Sequence, residues 1–306
     1  MQLDFVLGAE PLHAIQFGSI VVPDHPALFW IEGPGALACL QGLLTSDLAA
    51  VPENGLSYGA MLTGKGMIIL DPLVLRRGSG FLLILPPSAH AAAAAHFQRT
   101  LPPRLARVED RTESWRIAWL LGNGSLRLAQ DAPGFAPASS VMPFKGLIAG
   151  ERTPIQDASE LLQEKGAGLG NEAHLAAARV LAGWPSLGRE IDERTFPQEV
   201  RFDELGAVSY SKGCYTGQET VARVHFRGHP NRQLRGLVFP PIQVSDDRTI
   251  TMEGKEVGVL RTTVRTEDRT IALATLRREV PEDATVQLHG TEARVTVLPV
   301  TQGVTV

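Results

Sequence analysis

A chain of 306 residues with 44% hydrophobic and 20% charged residues has ordinary globular composition and the length to bury a large core in two or three domains. Its formal net charge of -4 gives no global attraction to nucleic acid or an anionic membrane, so an anionic ligand must be met by a local cluster of Arg and Lys, and the expected partner is small. Two cysteines, Cys39 and Cys214, exclude a disulfide framework and cannot supply the four thiolates of a resident iron–sulfur cluster.

The first 30 residues lack the basic start and apolar block of a signal peptide, and no segment approaches the roughly 20 apolar residues of a membrane span, so a cytoplasmic location is expected. Residues 27–31, "ALFWI", read as a short buried strand. "GPGALACLQGLLTSD" follows as a helix with Pro34 near its start, Leu37, Leu40 and Leu44 at helical spacing, and Cys39 in its core face. From Tyr58 to Leu85, "YGAML", "GMIILDPLVLRR" and "GFLLILPP" read as a strand meander split by the turns "TGKG" and "RGSG".

Ser88 is placed to cap an alanine-rich helix that Pro102 and Pro103 end. "RVEDRT" and "WRIAWLL" are candidate strands, and Asn123-Gly124 is a hairpin-type turn dipeptide. After a loop at 131–154 come the helices "SELLQEKGAGL" and "NEAHLAAARVLAG", then a polar, loop-rich stretch to Cys214 where functional groups tend to lie. Beyond Arg235 alternating residues and turns such as Glu253-Gly254-Lys255 predict a small all-β barrel or sandwich of about 70 residues.

The chemistry concentrates in "SKGCYTGQETVAR", residues 211–223. A thiol gains reactivity when a cation or backbone N–H groups stabilise its thiolate, and Lys212 and Gly213 stand beside Cys214 to do so, whereas free cysteines in general are small buried hydrophobes. Glu219 reads equally as a first-turn helix acid and as a ligand contact. Arg223, Arg227, Arg232 and Arg235, with His225 and His229, make a local basic cluster for a carboxylate or phosphate, or else a solvated face.

No histidine spacing suggests a metal site: His225 and His229 are four apart, but Gly228 and Pro230 argue against one helix carrying both. Asp71 in "MIILDPLVL" and Glu199 in "FPQEVRF" sit in or beside apolar runs, where a carboxylate is costly to bury without a donor-rich partner. The planar N–H and amino donors of a pterin are such a partner; a strand-edge acid before Pro72 and an ordinary loop acid are the plainer alternatives.

"KGCYTGQE", residues 212–219, resembles the signature of the YgfZ family, folate-binding relatives of the glycine-cleavage T-protein that include iron–sulfur assembly factors. "LACLQGLLTSDL" from Leu37, "MLTGKGMIILDPLVL" and "FPQEVRFDELGAVSYSKGC" resemble its other elements, so the resemblance covers nearly the whole chain. It implies an α+β, T-protein-like three-domain ring around a central tetrahydrofolate cavity, with a C-terminal β-barrel. The implied division is 1–50 plus 110–205 as a first folate-binding unit, 51–109 as a second, 206–234 as a signature segment lining the cavity, and 235–306 as the barrel.

The resemblance further implies that Cys214, activated by Lys212, and Asp71 carry chemistry, with Asp71 near the folate's reactive nitrogens. Glu199 is implied to bind the pterin, with Tyr215, Gly217 and Gln218 as further cofactor contacts; Glu219, Arg223 and Arg227 complete that set. Pro72 departs from the T-protein pattern, which has a second acid there, and the T-protein lacks the Lys-Gly-Cys signature.

The implied function is tetrahydrofolate-dependent support of iron–sulfur cluster assembly or repair, including in tRNA-modifying enzymes, through client or assembly proteins. The alternatives are a folate-dependent aminomethyltransferase or demethylase and a non-enzymatic folate-sensing scaffold. No direct contact with nucleic acid or membrane is expected.

Overall fold

The computed structural model describes residues 2–8 and 12–300, whose strands form three sheets and one short hairpin. The first sheet has the order Phe135–Pro137, Gly146–Glu151, Trp115–Leu121, Ile20–Asp24, Gly168–Leu169, antiparallel except for its last pair. Strand alternation gives it two different faces. Val21, Ala118, Leu120 and Ile148 meet Ile155, Ala158 and Leu162 of the helix Arg152–Glu164, while Val22, Ile117, Trp119 and Leu121 enter the central core.

The second sheet is antiparallel throughout, in the order Leu56–Tyr58, Leu73–Arg77, Gly80–Leu85, Ala27–Glu32, Arg107–Asp110. Phe29, Ile31, Leu83 and Leu85 pack under the helices Ala36–Leu43 and His90–Thr100, and Leu28, Leu82 and Ile84 face the central core. Gly80–Leu85 is therefore buried along its whole length, as its unbroken apolar run requires. Residues 27–50, expected with the first unit, lie with the second, because Ala27–Glu32 pairs with Gly80–Leu85 and Arg107–Asp110.

The third sheet closes on itself. Lys255–Thr266, Thr249–Met252, Thr285–Leu288, Thr291–Thr296, Arg232–Phe239 and Thr270–Arg277 follow one another, and the last pairs back onto the first to complete a six-stranded barrel. Its hairpin at Glu253 and Gly254 has φ of 51° and 76°, the pair of positive values that a tight two-residue turn demands. The strand Asp4–Gly8 adds in parallel to the outside of Lys255–Thr266, and Thr263 Oγ1 donates to Asp4 Oδ1 at 2.7 Å.

Two local expectations are overturned. Asn123-Gly124 opens the helix Gly124–Ala129 rather than turning a hairpin; Gly122 takes the positive φ of 77° in tight contact with Gly18, and Gly124 N donates to Gly18 O. Ser88 lies inside a 3₁₀ turn, Pro87–Ala89, and the helix it was to cap starts at His90 with no side-chain cap. Between the units runs the helix Glu172–Ala182, capped by Asn171 through Ala173 N and ended by Gly183 at φ 66°, with Ala176, Ala177, Val180 and Leu181 buried in the central core.

Candidate functional site

A cavity of about 600 Å³ opens where the units meet. The first sheet supplies Val22 to Asp24 and Trp119, with Phe144 from the loop before Gly146; the second supplies Leu73 and Ile84, with Asp71 just before its strand. The central helix supplies Leu175, Ala176 and Arg179, and the loop after it Trp184, Pro185, Ser186 and Arg189. The volume is that of a site for a small organic ligand, and the wall is mostly apolar with a few polar groups.

Asp71 is the unusual polar group. It is 5% exposed, and its Oδ2 accepts from the Tyr58 hydroxyl and from Leu187 N, both at 3.1 Å, while buried Oδ1 has no partner. Burial raises its pKa to about 7, against the lowering effect of the Leu187 and Tyr58 hydrogen bonds and of Arg179. Tyr58 is itself fixed by ring contacts at 4.3 Å with Trp184 and 4.9 Å with Phe202.

The other charges on this wall are paired. Arg179 Nη2 donates to Glu190 at 2.9 Å and to Trp184 O; fully buried Glu190 also accepts from Ser186 N and from Thr262 of the barrel. Arg189 bonds Glu172 at 2.8 Å and lies over the Phe5 ring. Asp24 takes Trp119 Nε1 at 2.7 Å and His25 N at 2.7 Å. Asp71 thus holds a free acceptor atom in a wall whose other carboxylates are engaged.

Of the residues expected to meet the ligand, Asp71 alone belongs to this lining. Glu199 is 6% exposed and accepts from Arg232 Nε at 3.0 Å, Arg232 Nη2 at 3.1 Å and Phe196 N at 3.1 Å, so a guanidinium already supplies the planar pair of donors expected from a pterin. No residue of 206–234 belongs to this lining, against expectation; Ala207, Ser209, Lys212 and Thr216 dock instead on the second unit, and much of the rest of the segment is exposed.

That docking joins the motifs singled out in the sequence. Lys212 Nζ donates to Gln41 O at 2.7 Å, Leu44 O at 2.7 Å and Ser46 O at 2.9 Å, and lies 3.2 Å from Gln41 Oε1. Thr45 Oγ1 donates to Ala207 O at 2.6 Å, Ser209 N to Thr45 O, and Thr216 N to Gly42 O. Gly217, at φ 82°, sits so close to the 61–70 hairpin that a Cβ there would lie 2.6 Å from Thr63 O. Tyr215 is buried with an unpartnered hydroxyl and a pKa raised by burial to about 12, whereas Cys214 is exposed.

Gln218 and Glu219 begin the helix Gln218–Arg227, where Glu219 is an exposed first-turn acid, and Arg223 and Arg227 are exposed along it. Sequence reasoning missed Tyr58, Trp184, Arg179 and Glu190, which build the wall around Asp71. "GWPSLGRE" carried a signal, a Trp-Pro pair and an acid in a loop-rich stretch, but no residue spacing connects it to Asp71 more than 100 positions earlier. Among the described residues no group of three or more His, Cys, Asp and Glu is placed to hold a metal ion, and no helix is long and apolar enough to cross a membrane.

Residues 23–149 match the GCVT N-terminal domain family. The chain is similar to the tRNA-modifying protein YgfZ of Cronobacter sakazakii, with 29% identity over 222 residues that cover 68% of this chain and 67% of that one. It is 24% identical to the protein of the same name from Aliivibrio fischeri over 280 residues, 86% of each. Among solved structures, the glycine cleavage system aminomethyltransferase T from Bartonella henselae superposes with a TM-score of 0.78 at 18% identity, covering 94% of this chain and 88% of that chain, which establishes a common fold.

Proposed function

From the similarity to YgfZ proteins and the fold shared with an aminomethyltransferase T, we propose that the chain is a YgfZ-family protein that binds tetrahydrofolate in the cavity beside Asp71 and supports iron–sulfur cluster assembly or repair, including in tRNA-modifying enzymes. The observation that carries the reading is the unpartnered Oδ1 of a 95%-buried carboxylate in the wall of a ligand-sized cavity, since an orphaned buried acceptor calls for a donor from a bound molecule. The residues present suit a folate. Asp71 Oδ1 would accept from its ring N–H groups, Trp119, Phe144 and Trp184 offer flat apolar walls, and the Arg179–Glu190 pair keeps one side polar.

When bound, tetrahydrofolate supplies nitrogens that carry a one-carbon unit. Asp71 holds or releases a proton at Oδ1 near neutral pH, Tyr58 and Leu187 N fix its orientation, and the apolar wall limits water around it. Exposed Cys214 is presented to solvent, which suits a thiol that meets a client protein rather than one that reacts inside the cavity. Titration of tetrahydrofolate by fluorescence should show binding that Asp71→Asn weakens at least about tenfold and Cys214→Ala leaves intact. Cys214→Ala should in turn fail to complement a strain lacking a YgfZ protein. Absence of binding by the wild type removes the reading.

The same Oδ1 favours a second reading, transfer of the methylene of an aminomethyl donor, already at the formaldehyde level, to tetrahydrofolate: the folate nitrogen bonds to that carbon, the donor's amine leaves, and a carboxyl of pKa about 7 can take the proton that the folate nitrogen releases. Methylenetetrahydrofolate formation from such donors, with release of the amine and lost in Asp71→Asn, is its test.

A further inference from the structure

The Lys212 contacts contain more than a docking detail. A tetrahedral ammonium has three N–H groups, and here three backbone carbonyls, of Gln41, Leu44 and Ser46, lie within 2.7–2.9 Å of Nζ. These carbonyls are the orphan acceptors at and just beyond the C-terminal end of the helix Ala36–Leu43, where a cation is favoured. Gln41 is oriented for the same task. Its Nε2 donates to Asp47 Oδ1 at 2.7 Å, and its Oε1 accepts from Leu48 N and turns toward Nζ.

The neighbouring residues diverge. Lys212 points into this carbonyl cluster with its ammonium 5.3 Å from the Tyr215 ring centroid, whereas Cys214 faces solvent. We propose that Lys212 is a positioning residue, whose ammonium pins the Cys214 loop to the end of the helix Ala36–Leu43 and acts neither as base nor as counter-ion for the thiol. Thr45 of the same unit, with Thr216 and Gly217 of the loop, completes the clamp: Thr45 holds Ala207 O, Thr216 N donates to Gly42 O, and Gly217 lies against Thr63. The inference goes beyond the proposed function and holds whatever fills the cavity.

The ammonium suits this role better than a guanidinium or an amide, since a point charge with three rotatable donors matches three converging carbonyls. Burial lowers its pKa to about 8, opposed by Asp47, and a neutral amine has too few N–H groups for all three acceptors. The charged and titratable groups around it are Asp47 on the helix side and Tyr215 on the loop side.

The test follows alkylation of Cys214 by iodoacetamide between about pH 6 and 10, resolved from Cys39 by peptide mass spectrometry, together with amide exchange at Ser209 and Thr216. In Lys212→Met the Cys214 midpoint should stay within about 0.3 pH unit of wild type, while the two amides exchange at least about tenfold faster. Lys212→Gln, which keeps two N–H donors, should recover part of the protection. In the wild type, protection corrected for intrinsic rate should fall as pH rises past about 8. The proposal is overturned by a Cys214 midpoint raised by about one unit or more in either variant, or by protection that is unchanged in both.

Discussion

Burial of Asp71 has a thermodynamic signature of its own. Burial raises its carboxyl to about 7 in the fold, against 3.8 for a free aspartate side chain, so between those limits the folded chain holds a proton that the unfolded chain has released. Stability from this group is present in full below about pH 4 and is lost as pH rises toward 7, by at most about 4 kcal/mol. Asp71→Asn removes the titration while keeping an oxygen for Tyr58 and Leu187 N. Its Tm, compared with that of the wild type, should therefore gain steadily between about pH 4 and 7 and level off above; parallel curves would count against a buried, protonated carboxyl. Both Asp71 and Glu199 were legible in the sequence as acids beside apolar runs, but which of them was free was not. Arg232, 33 positions downstream of Glu199, occupies both of its oxygens, and only the fold brings that guanidinium to it.

At the scale of elements, the strands of the second sheet and the barrel declared themselves through apolar runs, period-two alternation and glycine turns. Asn123-Gly124 and Ser88 misled because a dipeptide or a cap residue carries only a local preference, which the contact of Gly122 with Gly18 and the 3₁₀ turn at Pro87 override. The signature segment was legible as chemistry but not as architecture: nothing local to "KGCYTGQE" says that its lysine caps a helix 170 positions upstream. Gly217 is the sharpest element-level case. With φ at 82° and Thr63 O and Leu62 within 3.0 Å of any added Cβ, Gly217→Ala should cost about 2–4 kcal/mol in urea unfolding and loosen the Cys214 loop. A loss below about 0.5 kcal/mol would show that the hairpin and loop give way easily.

Across the molecule, buried pairs join units that the sequence could only name separately. Arg232 opens the first barrel strand, and Glu199 belongs to the 3₁₀ turn Pro197–Val200, so their ion pair fastens the barrel to the segment that precedes the signature. Arg232→Ala should destabilise the protein by about 2 kcal/mol, less than a fully buried pair, because the Arg232 side chain is 40% exposed. Replacing both partners with apolar residues should recover most of that loss, because much of it comes from the stranded Glu199 charge; a double variant no better than the single one would show that the pair itself carries the stability. Glu190 does the same on the cavity side by linking Arg179 to Thr262 of the barrel.

The strand Asp4–Gly8 carries this joining to its limit. It pairs with Thr263 to Thr266, so this strand finds its hydrogen-bonding edge only in residues 258 to 259 positions later. During synthesis at the ribosome, this segment must therefore wait for its strand partner, its apolar Phe5 and Leu7 only partly covered, until Lys255–Thr266 has emerged. A fragment that stops before Thr263 would leave that segment without its berth. Chaperone capture of nascent chains should accordingly persist until the barrel sequence is complete.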